Sequence, residues 1–404
     1  MKKSLHLIIA VFLIALTTQQ SIAQCYQVMK VSDVVYSTAN ARNIMDVYMP
    51  VGAPAGKRPL LVMAHGGSFS GGSKDEGTSS EIARRFASRG FTTASINYRL
   101  ETSTFNLVDS SVAAGAVIRA VSDLKAAVRF FTKDAATSDL YFIDTAAIYI
   151  GGNSAGAIAA VNYAYLLDTN DIKVPIHQYV RDVVRNNGGV EGNSGNAGYY
   201  DKVKGVLNFA GGVKDTAWIK PGSPKIFSAH GDKDKTVPYY FDKVLNSLTQ
   251  NGLLAKVITL CGSGAMKPKL DAQGIPNVLK TYVNADHVPW EADTDIFDEI
   301  DSLSAVFLGA PTCYQTGLVS SLNDVKMEQT VTVYPNPANT QINISGLNQV
   351  TTITLSNQFG QVVSSAIANG LQHSVDVSAL PKGVYFLKTE GSKGATQVNK
   401  VSVY

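Results

Sequence analysis

The chain has 404 residues, too many for one average domain, so two folded units are expected. Hydrophobic residues make up 45% and charged residues 17%, a balance that suits a well-packed globular protein with a quiet, polar surface. A formal net charge of +3 with no run of Lys or Arg gives no basic field for nucleic acid, and that class of partner is set aside.

The N-terminus reads as a targeting segment. Lys2 and Lys3 form a positive start, residues 5–16 an apolar run, and Ser21-Ile22-Ala23 supplies small residues where a signal peptidase cuts. A signal peptide over residues 1–23 is therefore expected. The rival readings are a membrane anchor, for which the run is short, and a lipoprotein cut before Cys25, for which Gln24 fits poorly. No later stretch is long and apolar enough to span a bilayer, so no transmembrane segment is expected in the mature chain.

From about residue 31 to residue 308 short β-rich runs alternate with helical stretches, which predicts an α/β domain over residues 24–311 with a mostly parallel sheet covered on both faces. Residues 31–36 and 44–49 alternate like an antiparallel opening pair, and residues 59–64 form a continuous apolar run, as a strand buried on both faces should. A helix over 80–88 and a strand over 91–98 follow. Val117, Val121, Leu124 and Val128 repeat at helical spacing within a long helix over 112–131. A strand over 146–150 leads into a helix over 155–167, and strands over 206–209, 225–229 and 255–260 are expected to complete the sheet. Residues 169–202 and 262–278 break this rhythm and read either as lid-like binding loops or as plain surface excursions.

After Pro311 the character changes. A polar linker over 312–330 leads to residues 331–404, which hold only Asp376, Lys382, Lys388, Glu390, Lys393 and Lys400 as acidic or basic residues. Their strand-length runs, divided by Gly, Asn and Pro, predict a small all-β sandwich. In an exported chain the three cysteines allow three pairings; a Cys25–Cys313 disulfide that staples the two ends of the larger domain is expected, leaving Cys261 free and buried.

Gly152-Asn153-Ser154-Ala155-Gly156 follows a buried strand and opens an Ala-rich helix, the context in which a G-x-S-x-G string carries chemistry. The sharp turn lifts the Ser154 hydroxyl clear of the backbone, and the helix N-terminus favours developing negative charge. A serine needs a base; of the six histidines, His6 leaves with the signal peptide and His373 lies in the tail, and of the other four only His287 fits well the order nucleophile, acid, histidine. For the acid, Asp234 is preferred within His230-Gly231-Asp232-Lys233-Asp234, with Asp232 as a competitor and Asp286 a poorer one. His65-Gly66-Gly67-Ser68-Phe69 directly follows a strand, and the amides of Gly67 and Ser68, joined by that of Ala155, are candidate oxyanion donors. Phe69, Asn153 and Trp290 are candidates for the substrate pocket. No Cys/His cluster suggests a metal, and the chemistry needs no cofactor.

These motifs, over roughly residues 31–308, resemble the α/β-hydrolase superfamily, particularly carboxylesterases and lipases with an HGGG-type oxyanion motif. The resemblance implies an α/β-hydrolase fold, Ser154, Asp234 and His287 as a triad, and Gly67, Ser68 and Ala155 as oxyanion donors. Two positions depart from it. Ser68 replaces the third glycine, and Asn153 stands where relatives of the hormone-sensitive-lipase type carry an acid. The tail resembles the C-terminal sorting domain of the type IX secretion system through residues 333–339 (Val-Tyr-Pro-Asn-Pro-Ala-Asn), 383–387 (Gly-Val-Tyr-Phe-Leu) and Lys400-Val401. That resemblance implies the type IX machinery as a partner, export across a Gram-negative envelope, and a secreted or surface-bound product.

The expected activity is hydrolysis of carboxylic esters through an acyl-enzyme on Ser154, with plant polysaccharide, lipid or polyester as possible substrates. A prolyl-oligopeptidase-like serine peptidase would use the same triad, but no propeller repeats precede the domain. A non-catalytic surface-binding protein on a hydrolase scaffold would require a lost triad position, and none is visibly lost.

Overall fold

The computed structural model describes residues 23–75, 77–102, 104–244, 258–311, 313–314, 331–347, 351–357, 361–391 and 396–404. The expected signal peptide, apart from Ala23, and most of the expected linker lie outside them. An eight-stranded sheet forms the body of the larger domain. Its strands are β1 (Gln27–Val35), β2 (Ile44–Val51), β3 (Arg58–Ala64), β4 (Thr92–Ile96), β5 (Ile143–Asn153), β6 (Gly205–Phe209), β7 (Lys225–Gly231) and β8 (Asn277–Tyr282). Their order across the sheet is β8-β7-β6-β5-β3-β4-β2-β1. The first two strands run antiparallel to their neighbours, and the other six are mutually parallel.

The buried strands place alternate side chains on opposite faces. Leu60 and Val62 of β3 join a core with Leu124, Val128 and Phe131 of α2 (Ser110–Ala136) and Ile158 and Val161 of α3 (Ala155–Tyr165). Leu61 and Met63 point the other way, into a second core with Ile82 and Phe86 of α1 (Gly77–Ser88) and Ile300 and Leu308 of a C-terminal helix (Thr294–Leu308). Asp109 caps α2 by accepting from the amides of Ser111 and Val112, which carries the helix beyond its predicted start.

Two expectations need correction. The strand expected over 255–260 does not complete the main sheet: residues 255–257 are not described, and Thr259–Gly262 pairs antiparallel with Phe241–Lys243 and Gly212–Val213 in a separate small sheet. The eighth position is taken by β8, parallel to β7. Most of its side chains are only half-buried, as on an edge strand, so its sequence lacks the continuous apolar run that betrays the inner strands. Residues 262–278, expected as irregular, hold a helix, Ser263–Ala272, masked in sequence by Pro268 and a scarcity of apolar residues.

The 169–202 segment contains the helix α4 (Gln178–Asn186) and lies against α2. Arg129 Nη2 bonds both Glu191 and Asp201, Ser194 Oγ donates to Asp123 at 2.6 Å, and Val180 and Val184 are buried. Salt bridges and core contacts therefore hold the segment to the domain flank.

Cys25 is disulfide-bonded and Cys261 is free and buried, so the pairing of those two is excluded. The backbone of Ala23–Gln24 runs parallel beside Cys313–Tyr314.

The tail is an antiparallel sandwich. One sheet comprises Thr332–Tyr334, Gln341–Ser345 and Gln372–Asp376; the other comprises Val362–Ala368, Thr351–Asn357, Gly383–Gly391 and Thr396–Val403. Ile342, Ile344, Ile353, Leu355, Leu387 and Val401 fill its core. Among the described residues, no helix is long and apolar enough to cross a membrane.

Candidate active site

Ser154 stands between β5 and α3 with φ 52° and ψ −116°, a backbone conformation that costs about 1–3 kcal/mol for a residue with a side chain. The turn persists because its surroundings leave no alternative. A Cβ at Gly152 would lie 2.3 Å from the Gly156 carbonyl carbon, and one at Gly156 would lie 2.1 Å from Ala64 O. Glycine at both positions thus lets α3 press onto the end of β3. The Ser154 amide donates to Phe209 O at 2.8 Å, tying the turn to β6.

Asn153, before the serine, is pinned at both ends of its amide. Trp290 Nε1 donates to its Oδ1 at 3.0 Å, and its Nδ2 donates to Glu291 Oε1 at 2.6 Å. Trp290 is only 2% exposed, with its ring edge-on to Phe209. It lines the cleft beside Ser154, where its indole N–H is committed to Asn153.

His287 lies on the loop between β8 and the Thr294–Leu308 helix. Its Nε2 lies 2.8 Å from Ser154 Oγ and its Nδ1 2.6 Å from Asp234 Oδ2. Of the three acids weighed, Asp234 is the one at the imidazole. Asp232 accepts the Asn284 amide, and Asp286 accepts the amides of Lys235 and His287. Asp234 Oδ1 accepts the Thr236 and Val237 amides, each at 2.8 Å. Burial opposes the charge on Asp234, but hydrogen bonds from His230 and His287 outweigh it and hold the carboxyl well below the usual carboxylate range.

The 65–69 turn faces the serine: a Cβ at Gly66 would fall 3.5 Å from Ser154 Cβ. Gly67, Ser68 and Phe69 all have positive φ, of 105°, 52° and 57°. At Gly67 a Cβ would also collide with Gly71 O at 2.4 Å, so glycine is required there. His65 underpins the turn. Its ring stacks on Tyr98 at 4.3 Å, its Nδ1–H donates to Gly66 O at 2.6 Å, and its carbonyl accepts the Tyr98 hydroxyl.

Two spaces meet at Ser154. A polar cleft of about 950 Å3 runs from His287 and the 65–68 turn past Asn153 and Glu291 to Glu81, Arg85 and Phe297. On the other side, a cavity of about 60 Å3 is lined by Phe69, Ala113, Val117, Ala155, Ile158 and Leu260 among others. Ser68 and Thr236 border both. No residue of the 169–202 segment lines either space, so that part of the lid expectation is withdrawn; its ion pairs with α2 keep it on the flank. Sequence reasoning missed Glu291, Thr236 and the contact of His230 with the acid. Only His230 carried a signal, its place four residues before Asp234. Among the described residues, no group of three His, Cys, Asp or Glu side chains is placed to hold a metal ion.

A mostly parallel eight-stranded sheet, with a serine on a strained strand-to-helix turn at the carboxyl end of a central strand, defines an α/β-hydrolase fold. Residues 45–204 match the family model described as BD-FAE, an esterase-like α/β-hydrolase domain, and residues 332–404 match the secretion system C-terminal sorting domain. The first match includes Ser154 and the 65–69 turn and stops short of Asp234 and His287. Similar solved structures include a truncated carbohydrate esterase from gut microbiota, 18% identical with a TM-score of 0.48, covering 71% of this chain and 98% of that one. Another is the propionate-bound esterase Est2 of the planctomycete Thermogutta terrifontis, 19% identical with a TM-score of 0.46, covering 72% and 97%. No curated protein matches the chain.

His65 makes stability pH-dependent. Burial lowers its pKa from 6.5 to about 4, so between those values the unfolded chain binds the proton and the folded chain does not. Stability is therefore lost as pH falls through that interval, by up to about 3 kcal/mol, and no further below it. The urea midpoint of the hydrolase-domain transition should drop between pH 7 and pH 5, and His65→Asn should drop less over the same interval. An equal drop in both would assign the dependence to other groups.

Proposed function

We propose that residues 24–311 form a secreted serine esterase and that Ser154, His287 and Asp234 are its triad. The observation that carries this reading is the unbroken line of hydrogen bonds from Asp234 through His287 to Ser154, ending where a polar cleft meets an apolar cavity. In the reaction, Ser154 Oγ bonds to the ester carbonyl carbon as its proton passes to His287 Nε2. The oxyanion is received by the amides of Gly67, Ser68 and Ala155, each such donor being worth about 3 kcal/mol in the transition state. The imidazolium, steadied by Asp234, then protonates the alcohol oxygen as the C–O bond breaks. Water repeats the sequence: His287 takes its proton, its oxygen attacks the acyl carbon, and the proton returns to Ser154 as the acid leaves.

The two spaces set the substrate class. The apolar cavity is small enough to favour a short acyl group, while the cleft offers polar side chains to a hydroxyl-rich alcohol such as an acylated plant polysaccharide. Long-chain lipids fit this division less well. Export follows from the two ends: a signal peptide over residues 1–23 and, after a linker at 312–330, a sorting domain at 331–404 that engages the type IX machinery. The proposed Cys25–Cys313 disulfide suits that compartment, and the backbone pairing of Gln24 with Tyr314, each next to one of the two cysteines, supports it.

A fluorophosphonate probe should label the protein, and Ser154→Ala should abolish both labelling and ester turnover; persistent turnover in that variant would sink the serine mechanism. Across 4-nitrophenyl esters, kcat/KM should be highest for acetate to butyrate and fall by at least about tenfold at octanoate. A rising series would refute the short acyl pocket.

A further inference from the structure

Asp234 is served by two histidines. His230, near the end of β7 and fully buried, places Nε2 3.1 Å from Val237 O and 3.2 Å from Asp234 Oδ2, the same oxygen that meets His287. A carbonyl only accepts, so Nε2 bears the proton and faces both oxygens. In the neutral ring Nδ1 is an acceptor, and Ser263 Oγ, 2.8 Å away, donates to it. Ser263 Oγ in turn accepts from Asn208 Nδ2 at 3.1 Å. That amide also donates to Ser228 Oγ, and its Oδ1 accepts the Gly211 amide. Every proton from the Gly211 backbone to the carboxylate is thus assigned, in a chain that never reaches the cleft. Neither His230 nor Ser263 lines the cleft or the cavity.

We infer that His230 is a positioning residue for the proposed reaction, fixing Asp234 under His287 and sharing the carboxylate's charge so that His287 remains an effective base. This rests on the triad reading. With the two amides on Oδ1 and His287 and His230 at Oδ2, the carboxylate has four N–H groups around it and one orientation that serves them all. Without the His230 donor, the charge on Oδ2 falls more fully on His287 Nδ1–H. The imidazolium is then favoured, and the base loses its proton only at higher pH.

The other titratable groups nearby are distinct. Tyr239 meets the His230 ring edge-on at 5.5 Å, and its hydroxyl pairs with Thr281. Lys235 and Asp286 pair with each other at 3.3 Å on the exposed rim, Asp232 accepts the Asn284 amide, and Glu291 bonds Asn153 across the cleft. None of these contacts is made by the His230 imidazole nitrogens.

The test compares His230→Leu, His230→Gln and His230→Asn in the full chain, each normalised to the fraction that a fluorophosphonate labels. A Gln amide extends to the Nε2 position and can donate to Asp234; an Asn amide reaches only the Nδ1 position. His230→Leu and His230→Asn should lower kcat by about tenfold, leave KM within about twofold, and move the acid limb of kcat/KM upward by about half a pH unit. His230→Gln should restore most of both. If His230→Leu fails to fold, the Asn and Gln pair decides alone. Acid limbs that coincide with the wild type in every folded variant, with kcat per labelled site unchanged, would overturn the inference and leave His230 as packing. Ser154→Ala is assayed alongside: turnover there would remove the triad reading itself, whereas an inactive Ser154→Ala with unaffected His230 variants would remove only this inference.

Discussion

The site depends on one tight contact, the approach of α3 to the end of β3 at Gly156. A carbonyl oxygen 2.1 Å from where a side chain would begin leaves room for hydrogen alone. That approach forces the chain to reverse within one residue, so Ser154 takes a backbone conformation it would not adopt freely. The strain is borne by the sheet and helices around it, whose buried apolar faces hold both sides of the turn in place. The clamp on Asn153 by Trp290 and Glu291 fixes the residue before the bend, and the Ser154 amide is bonded to Phe209 O. What results is a hydroxyl with one direction to face.

Around that hydroxyl, burial separates histidines by function. His65 is held neutral by burial beneath the glycine turn, despite its bond to Gly66 O, and serves as a stacked support. His287, less enclosed, reaches both a carboxylate and the serine. His230 is sealed in with its hydrogens already assigned. The acid that His230 and His287 share stays ionised in a buried place because donors surround it, so the His287 imidazole faces a negative partner.

Much of this was legible in the sequence because it is local. A G-x-S-x-G string between a strand and a helix, and a glycine pair after a buried strand, each announce their geometry within a few residues. The inner strands were legible because burial on both faces demands continuous apolar runs. The eighth strand was not, since β8 is half-exposed and its place in the sheet is decided by pairing with Lys225–Gly231 about fifty residues earlier. Nor was the Trp290 clamp: an aromatic beside the histidine suggests a pocket wall, and only the fold reveals that its indole N–H is committed to Asn153. The 169–202 segment illustrates the same limit, because its length suggested a lid while its ion pairs with Arg129, 40 residues or more upstream, hold it against the flank.

The central claim is that an acyl group rests covalently on Ser154 midway through turnover. Rapid acid quenching during hydrolysis of 4-nitrophenyl acetate, followed by peptide mass mapping, tests it most directly. One acetyl group on the peptide containing Ser154, absent when Ser154 is replaced by Ala, is the predicted result. An acetyl group found only on other residues, or steady turnover with none on that peptide, would contradict the account.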